Sequence, residues 1–278
     1  MKRHGIQIIA DGKRLEACWL GPGPGQAPTL VFLHEGLGCV GLWKDFPERL
    51  VAATGCGALV YSRAGYGGSD PVDLPRPLTY MHHEAQVVLP QVLDAAGIQR
   101  AIMVGHSDGG SIALIHAGSV DDPRVAALVL MAPHVFNEDV CVAAIEQARH
   151  AYEQGDLRTG LAKYHGDNVD VAFRGWNDAW LDPAFLDWNL ESFLPGVQVP
   201  VLLIQGVQDQ YGTAAQIEAI ERQVSGPVQT LWPEPCGHAA YRDQPQAVIS
   251  ATTQFLENRM KSRPPTTNAS ALTSRGGV

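Results

Sequence analysis

The stretch MVGHSDGGSIAL, residues 103–114, decides how this chain is read. It sets Ser107 between His106 and Asp108, with Gly105 and Gly109 two positions away on either side. The apolar run RAIMVGH (100–106) predicts a buried strand, and helical spacing resumes after Ser107 through Ile112, Ala113 and His116. A serine at such a corner is held in a strained conformation, and glycines beside it remove the clashes that side chains would create. The helix that starts behind it presents unpaired backbone N–H groups and a positive dipole end to a developing oxyanion. A Gly-x-Ser-x-Gly match alone is weak in a glycine-rich chain. Its place between a strand and a helix is what gives it weight.

Working outward, the same alternation recurs. Residues 6–20 read as two strands about the Asp-Gly turn of ADGK, and GPGPGQAP (21–28) forbids a helix. TLVFLH (29–34), GALVYS (57–62), RVAALVLMAP (124–133), VPVLLIQG (199–206) and PVQTLWP (227–233) are further strands. Helices are expected near 43–53, 80–96, 213–224 and 244–260. Continuous apolar strands alternating with helices imply an α/β domain: a mostly parallel central sheet covered by helices on both faces. Between the strands at 124–133 and 199–206 the rhythm breaks, and about 65 residues show only helical patterns and aromatic clusters. That length predicts an inserted helical cap. The expected organisation is a core of 1–133 and 199–262, a cap of 134–198, and a polar, disordered tail of 263–278.

Composition narrows the function classes. Hydrophobic residues make up 45% of the 278 and charged ones 18%, as in a globular enzyme. The net charge of −9, with Lys and Arg dispersed, argues against a nucleic-acid partner or an anionic membrane surface. No apolar run approaches a membrane span, and the N-terminus does not read as a signal peptide. Five scattered cysteines without a CxxC pair point to reduced thiols in a cytoplasmic protein, not to a disulfide framework or a zinc site. No histidine pair has metal-ligand spacing on a helix, so no metal is expected; His82, His83, His116 and His150 read as structural.

In this pattern the chain resembles α/β-hydrolase-fold proteins, whose triad runs in the order Ser, acid, His. The resemblance implies that Ser107 is the nucleophile, that Asp209 in LLIQGVQDQYG is the acid, and that His238 in PEPCGHAAYRDQP is the base. Asp108 lies one residue past the nucleophile position. Its backbone N–H is then an oxyanion donor, while its side chain reads as a helix cap or dipole contact. Aligning His34 and Trp43 of HEGLGCVGLW with the His and Trp frequent in the family makes Gly36 the second oxyanion donor. Glu35 then replaces a usual glycine and is expected to pair with Arg63 of YSRAGYGGSD, or to touch substrate.

Phe173, Trp176, Trp180, Phe185 and Trp188 concentrate aromatic surface in the cap. Phe173, Trp176 and Trp180 are candidates for the substrate pocket, and an apolar or aromatic small-molecule substrate follows. The expected chemistry is cofactor-free cleavage of a carboxylic ester, thioester or lactone through an acyl-enzyme on Ser107. Carbon–carbon hydrolysis of ring-cleavage products and perhydrolysis use the same triad. A slow-turnover ligand receptor of the same fold is the reading from another class. Oligomeric state is left open, with a homodimer the commonest arrangement for soluble enzymes.

Overall fold

The computed structural model describes residues 3–261, and the expected tail of 263–278 lies outside them. Eight strands form one sheet: β1 (His4–Ala10), β2 (Lys13–Leu20), β3 (Thr29–Leu33), β4 (Gly57–Tyr61), β5 (Ala101–His106), β6 (Val125–Met131), β7 (Val201–Ile204) and β8 (Val228–Leu231). Their order is β1-β2-β4-β3-β5-β6-β7-β8. β2 runs antiparallel to both β1 and β4, and every pairing from β4 onward is parallel.

The apolar composition of β3, β4 and β5 follows from their position, since every residue of the three is buried. Helices α1 (Phe46–Thr54) and α10 (Pro245–Lys261) cover one face, packing Leu50, Val51, Val248, Ile249 and Phe255 onto the sheet. The other face takes α2 (Tyr80–His83), α3 (Leu89–Ala95), α4 (Asp108–Ser119) and α8 (Ala214–Gln223). A π turn, Glu84–Val88, joins α2 to α3. The helix expected over 43–53 divides instead into a 3-10 turn, Val40–Trp43, and α1. Lys44 at φ 53° breaks the spiral, and Pro47 fits the first turn of α1, where its missing N–H costs nothing.

Between β6 and β7 the described chain forms α5 (Asp139–Gln154), α6 (Leu157–His165), α7 (Val169–Trp180) and short 3-10 turns, with one isolated bridge between Phe136 and Asn189. The short helix α9 (Ala240–Asp243) precedes α10. Buried apolar residues of α5, α6 and α7 join the same core cluster as α3 and α4, so this segment packs down on the sheet domain. No helix among the described residues is long and apolar enough to cross a membrane.

Candidate active site

The carboxyl ends of β3, β5, β7 and β8 converge, as expected for the ligand side of an open parallel sheet. Ser107 links β5 to α4 at φ 52° and ψ −120°, a backbone conformation that costs on the order of 1–3 kcal/mol and needs support. Its N–H donates to Met131 O at 3.0 Å, and its carbonyl accepts from Gly110 and Ser111. Close packing explains the flanking glycines. A Cβ on Gly105 would lie 2.6 Å from Gly109 O, and one on Gly109 would lie 2.0 Å from Leu33 O.

Across the cavity, His238 Nδ1 lies 2.9 and 3.0 Å from the two carboxylate oxygens of Asp209. The Tyr211 N–H donates to Asp209 Oδ1 at 2.8 Å and fixes the carboxylate further. Burial alone would raise the Asp209 pKa, but His238 and the Tyr211 amide outweigh it and hold the group below its ordinary range. An ionised acceptor at Nδ1 places the proton there and leaves Nε2 with a lone pair. Ser107 and His238 line the same cavity, of about 430 Å³. No hydrogen bond joins their side chains in this conformation, so proton transfer requires them to close to about 3 Å.

Neither the Gly36 nor the Asp108 backbone N–H has a backbone acceptor among the described residues. The Asp108 side chain points away from the cavity and is fully buried. It accepts from the Tyr80 hydroxyl at 2.5 Å, and the Trp180 indole N–H donates to that hydroxyl at 3.1 Å. Arg63 Nη2 lies 3.8 Å from the same carboxylate. This corrects two expectations. Asp108 lies in the first turn of α4, as the dipole reading expects, but it is not the cap and anchors a buried network, and Arg63 does not pair with the Glu35 side chain. The Arg63 guanidinium is 1% exposed and finds its anion in the equally buried Asp108, while donating to the His34 and Glu35 carbonyls at 2.6 and 3.2 Å. The Glu35 carboxylate turns the other way, over Gly38, with Oε2 3.5 Å from His106 Nδ1.

Of the expected pocket residues, Glu35 and Trp176 line the cavity, and Phe173 and Trp180 do not. Phe173 stacks on Tyr152 at 3.7 Å between ring centres, and Trp180 is 1% exposed beside Phe185 and Trp188. All three belong to one face of α7, but that face is long, and only the turn holding Trp176 reaches the cavity. The indole of Trp176 lies directly on the Gly36 backbone: a Cβ there would sit 2.1 Å from Cδ1 and 2.2 Å from Nε1.

Sequence reasoning missed His106, Tyr211 and Tyr241. His106 Nε2 lies 2.9 Å from the His238 carbonyl, so the residue before Ser107 ties the His238 loop to the β5–α4 turn. The Tyr211 ring lies tilted with its centre 4.7 Å from that of His238, and the Tyr241 ring meets His106 edge-on at 5.3 Å. Adjacency to Ser107, Asp209 and His238 was the available signal. His134 carried no such signal, yet its ring lies 5.7 Å from that of His238.

Residues 30–251 match the model of the alpha/beta hydrolase family. The chain belongs to the alpha/beta hydrolase family. Within it, the 2-hydroxy-6-oxononadienedioate/2-hydroxy-6-oxononatrienedioate hydrolase of Burkholderia vietnamiensis is 33% identical over 129 residues, 45% of this chain and 43% of that one. The match thus spans less than half of that relative. The 2-hydroxy-6-oxo-6-phenylhexa-2,4-dienoate hydrolase of Rhodococcus sp. strain RHA1 superposes with a TM-score of 0.73 at 14% identity, covering 92% of this chain and 99% of that one. The enol-lactonase of Burkholderia xenovorans LB400 gives 0.67 at 20% identity, covering 91% and 100%. At these identities the structural likeness is one of fold. The family and the partly matched Burkholderia vietnamiensis relative both carry hydrolase names.

Proposed function

We propose that the protein is a cofactor-free serine hydrolase that cleaves a carboxylic ester, thioester or lactone of a small substrate. The observation that carries this reading is the shared cavity of Ser107 and a His238 whose Nδ1 is held by ionised Asp209. In the first step His238 Nε2 takes the Ser107 hydroxyl proton as Oγ bonds to the carbonyl carbon. The Gly36 and Asp108 N–H groups receive the oxyanion, each worth on the order of 3 kcal/mol. His238 then gives its proton to the leaving oxygen or sulfur, and an acyl-enzyme forms. Water attacks that acyl group with His238 again as base, releasing the acid and restoring Ser107. Asp209 keeps the imidazole in the required tautomer throughout.

Carbon–carbon hydrolysis is the second reading, favoured by the named activity of the 33%-identical relative. The test is turnover of p-nitrophenyl esters, from acetate to octanoate and benzoate, with Ser107→Ala as control. Fluorophosphonate labelling of Ser107 is the second readout. Ester turnover lost in Ser107→Ala supports the proposal. Labelling of Ser107 without ester turnover favours the carbon–carbon reading, and the absence of both refutes an activated serine.

A further inference from the structure

The hydrolase reading gives the Glu35 side chain no role. Glu35 immediately precedes Gly36, and 22% of its side chain remains exposed, in a position where it lines the cavity beside Ser107. Its ion-pair contact among the described residues is with His106, 3.5 Å away and charged only when protonated, and no lysine or arginine pairs with it. Arg63, the nearest candidate by sequence, is committed to Asp108 and to two backbone carbonyls.

His34, His106, Cys39, His165 and Tyr241 are among the titratable groups that feel the Glu35 charge. His106 Nδ1 approaches to 3.5 Å without a hydrogen bond, while its Nε2 is engaged by the His238 carbonyl. Arg242 and Asp243 line the same cavity, and Asp243 accepts from the Gly237 N–H at 2.9 Å. Burial would push the Glu35 carboxyl up, but His106 and His34 outweigh that and hold it down to about 2, so it is an anion at neutral pH.

A carboxylate beside an oxyanion site opposes the negative charge that develops there. A positive charge on the substrate would offset it in the complex, and a negative charge would add like-charge repulsion. The Trp176 and Tyr211 rings, which line the same cavity, suit the apolar methyl or methylene shell of an organic ammonium. We propose that Glu35 selects substrates bearing a cationic nitrogen within a few bonds of the scissile carbonyl, and disfavours substrates bearing a carboxylate. This rests on the serine-hydrolase reading of the same cavity.

Three p-nitrophenyl esters of matched shape test it: 3-(trimethylammonio)propanoate, 4,4-dimethylpentanoate and hydrogen succinate. In the native protein kcat/KM for the cationic ester should exceed that for its neutral isostere at least tenfold, with the anionic ester lowest. Glu35→Gln should bring the three within about threefold, and Glu35→Asp, which keeps the charge, should retain the order. A neutral or anionic ester preferred by the native protein, or an unchanged order in Glu35→Gln, overturns the proposal. Binding of benzyltrimethylammonium and of phenylacetate, measured by calorimetry, asks the charge question without any reaction. Preferential binding of the cation, lost in Glu35→Gln, combined with no ester turnover and no labelling of Ser107, would uphold the role of Glu35 and refute the hydrolase reading. Equal binding of the two ions would overturn the role of Glu35 whatever the turnover.

Discussion

Replacing Gly36 by alanine should disable the protein through one contact. The added Cβ would lie 2.1 Å from Trp176 Cδ1. Carbon atoms rest about 3.5–4.0 Å apart, so the overlap is at least roughly 1.4 Å. The indole lies between Phe173 and the Gly36 loop, and swinging it away would push it into the cavity shared by Ser107 and His238, at its own cost to activity. Otherwise the loop or the helix must move by on the order of 1 Å, and overpacking of this kind costs about 1–3 kcal/mol of stability. A 1 Å displacement of a catalytic donor costs roughly 100-fold in rate. Gly36→Ala should therefore lower kcat on a p-nitrophenyl ester at least about 100-fold and shift the urea midpoint downward. The decisive variant is Gly36→Ala combined with Trp176→Leu, which removes the obstructing ring. Stability and rate should then exceed the values expected from adding the two single changes, because the sites are in contact. Strict additivity, or a Gly36→Ala protein with native stability and rate, would refute the reasoning.

Three further outcomes are expected of the same molecule. Gly160 in α6 has open space where a Cβ would go, so Gly160→Ala should raise stability by about 0.5–1 kcal/mol in urea titration. Asp209→Asn would leave the geometry nearly intact but lose the charge that fixes the His238 tautomer, and should lower kcat by about 10⁴ in the ester assay. His134 is buried, and burial first, then the charge of His238, hold its pKa down to about 3. Below pH 6.5 the unfolded chain binds a proton that the native imidazole refuses, so stability falls as pH drops from about 6.5 toward 3. Between pH 6.5 and 5 this single group contributes a loss of about 2 kcal/mol. Urea midpoints at the two pH values should show a smaller difference in His134→Asn.

How much of this was legible depends on the range of the contact. The β5–α4 turn is local: β5, Ser107 and α4 are consecutive, and the requirement for Gly105 and Gly109 arises where backbone segments touch within that turn and against β3. Period and turn chemistry therefore announce it. Asp209 and His238 lie 102 and 131 residues beyond Ser107, and only their place after strands marked them. The Glu35–Arg63 expectation went astray because two loops at one end of a sheet can be named from sequence, whereas the direction of each side chain cannot. Arg63, fully buried, needed an anion with no exposure of its own, and Asp108 met that condition. Once Arg63 was engaged there, Glu35 was left facing the cavity with His106. The same logic governs α7. Aromatic residues at helical spacing share a face, but which turn of that face ends at the cavity is set by how α7 lies on the Gly36 loop. Trp176 met a glycine backbone and Phe173 met Tyr152, and nothing in the spacing of the two distinguishes them. Local strain is written in composition; the partner of a buried charge is written only in the packing.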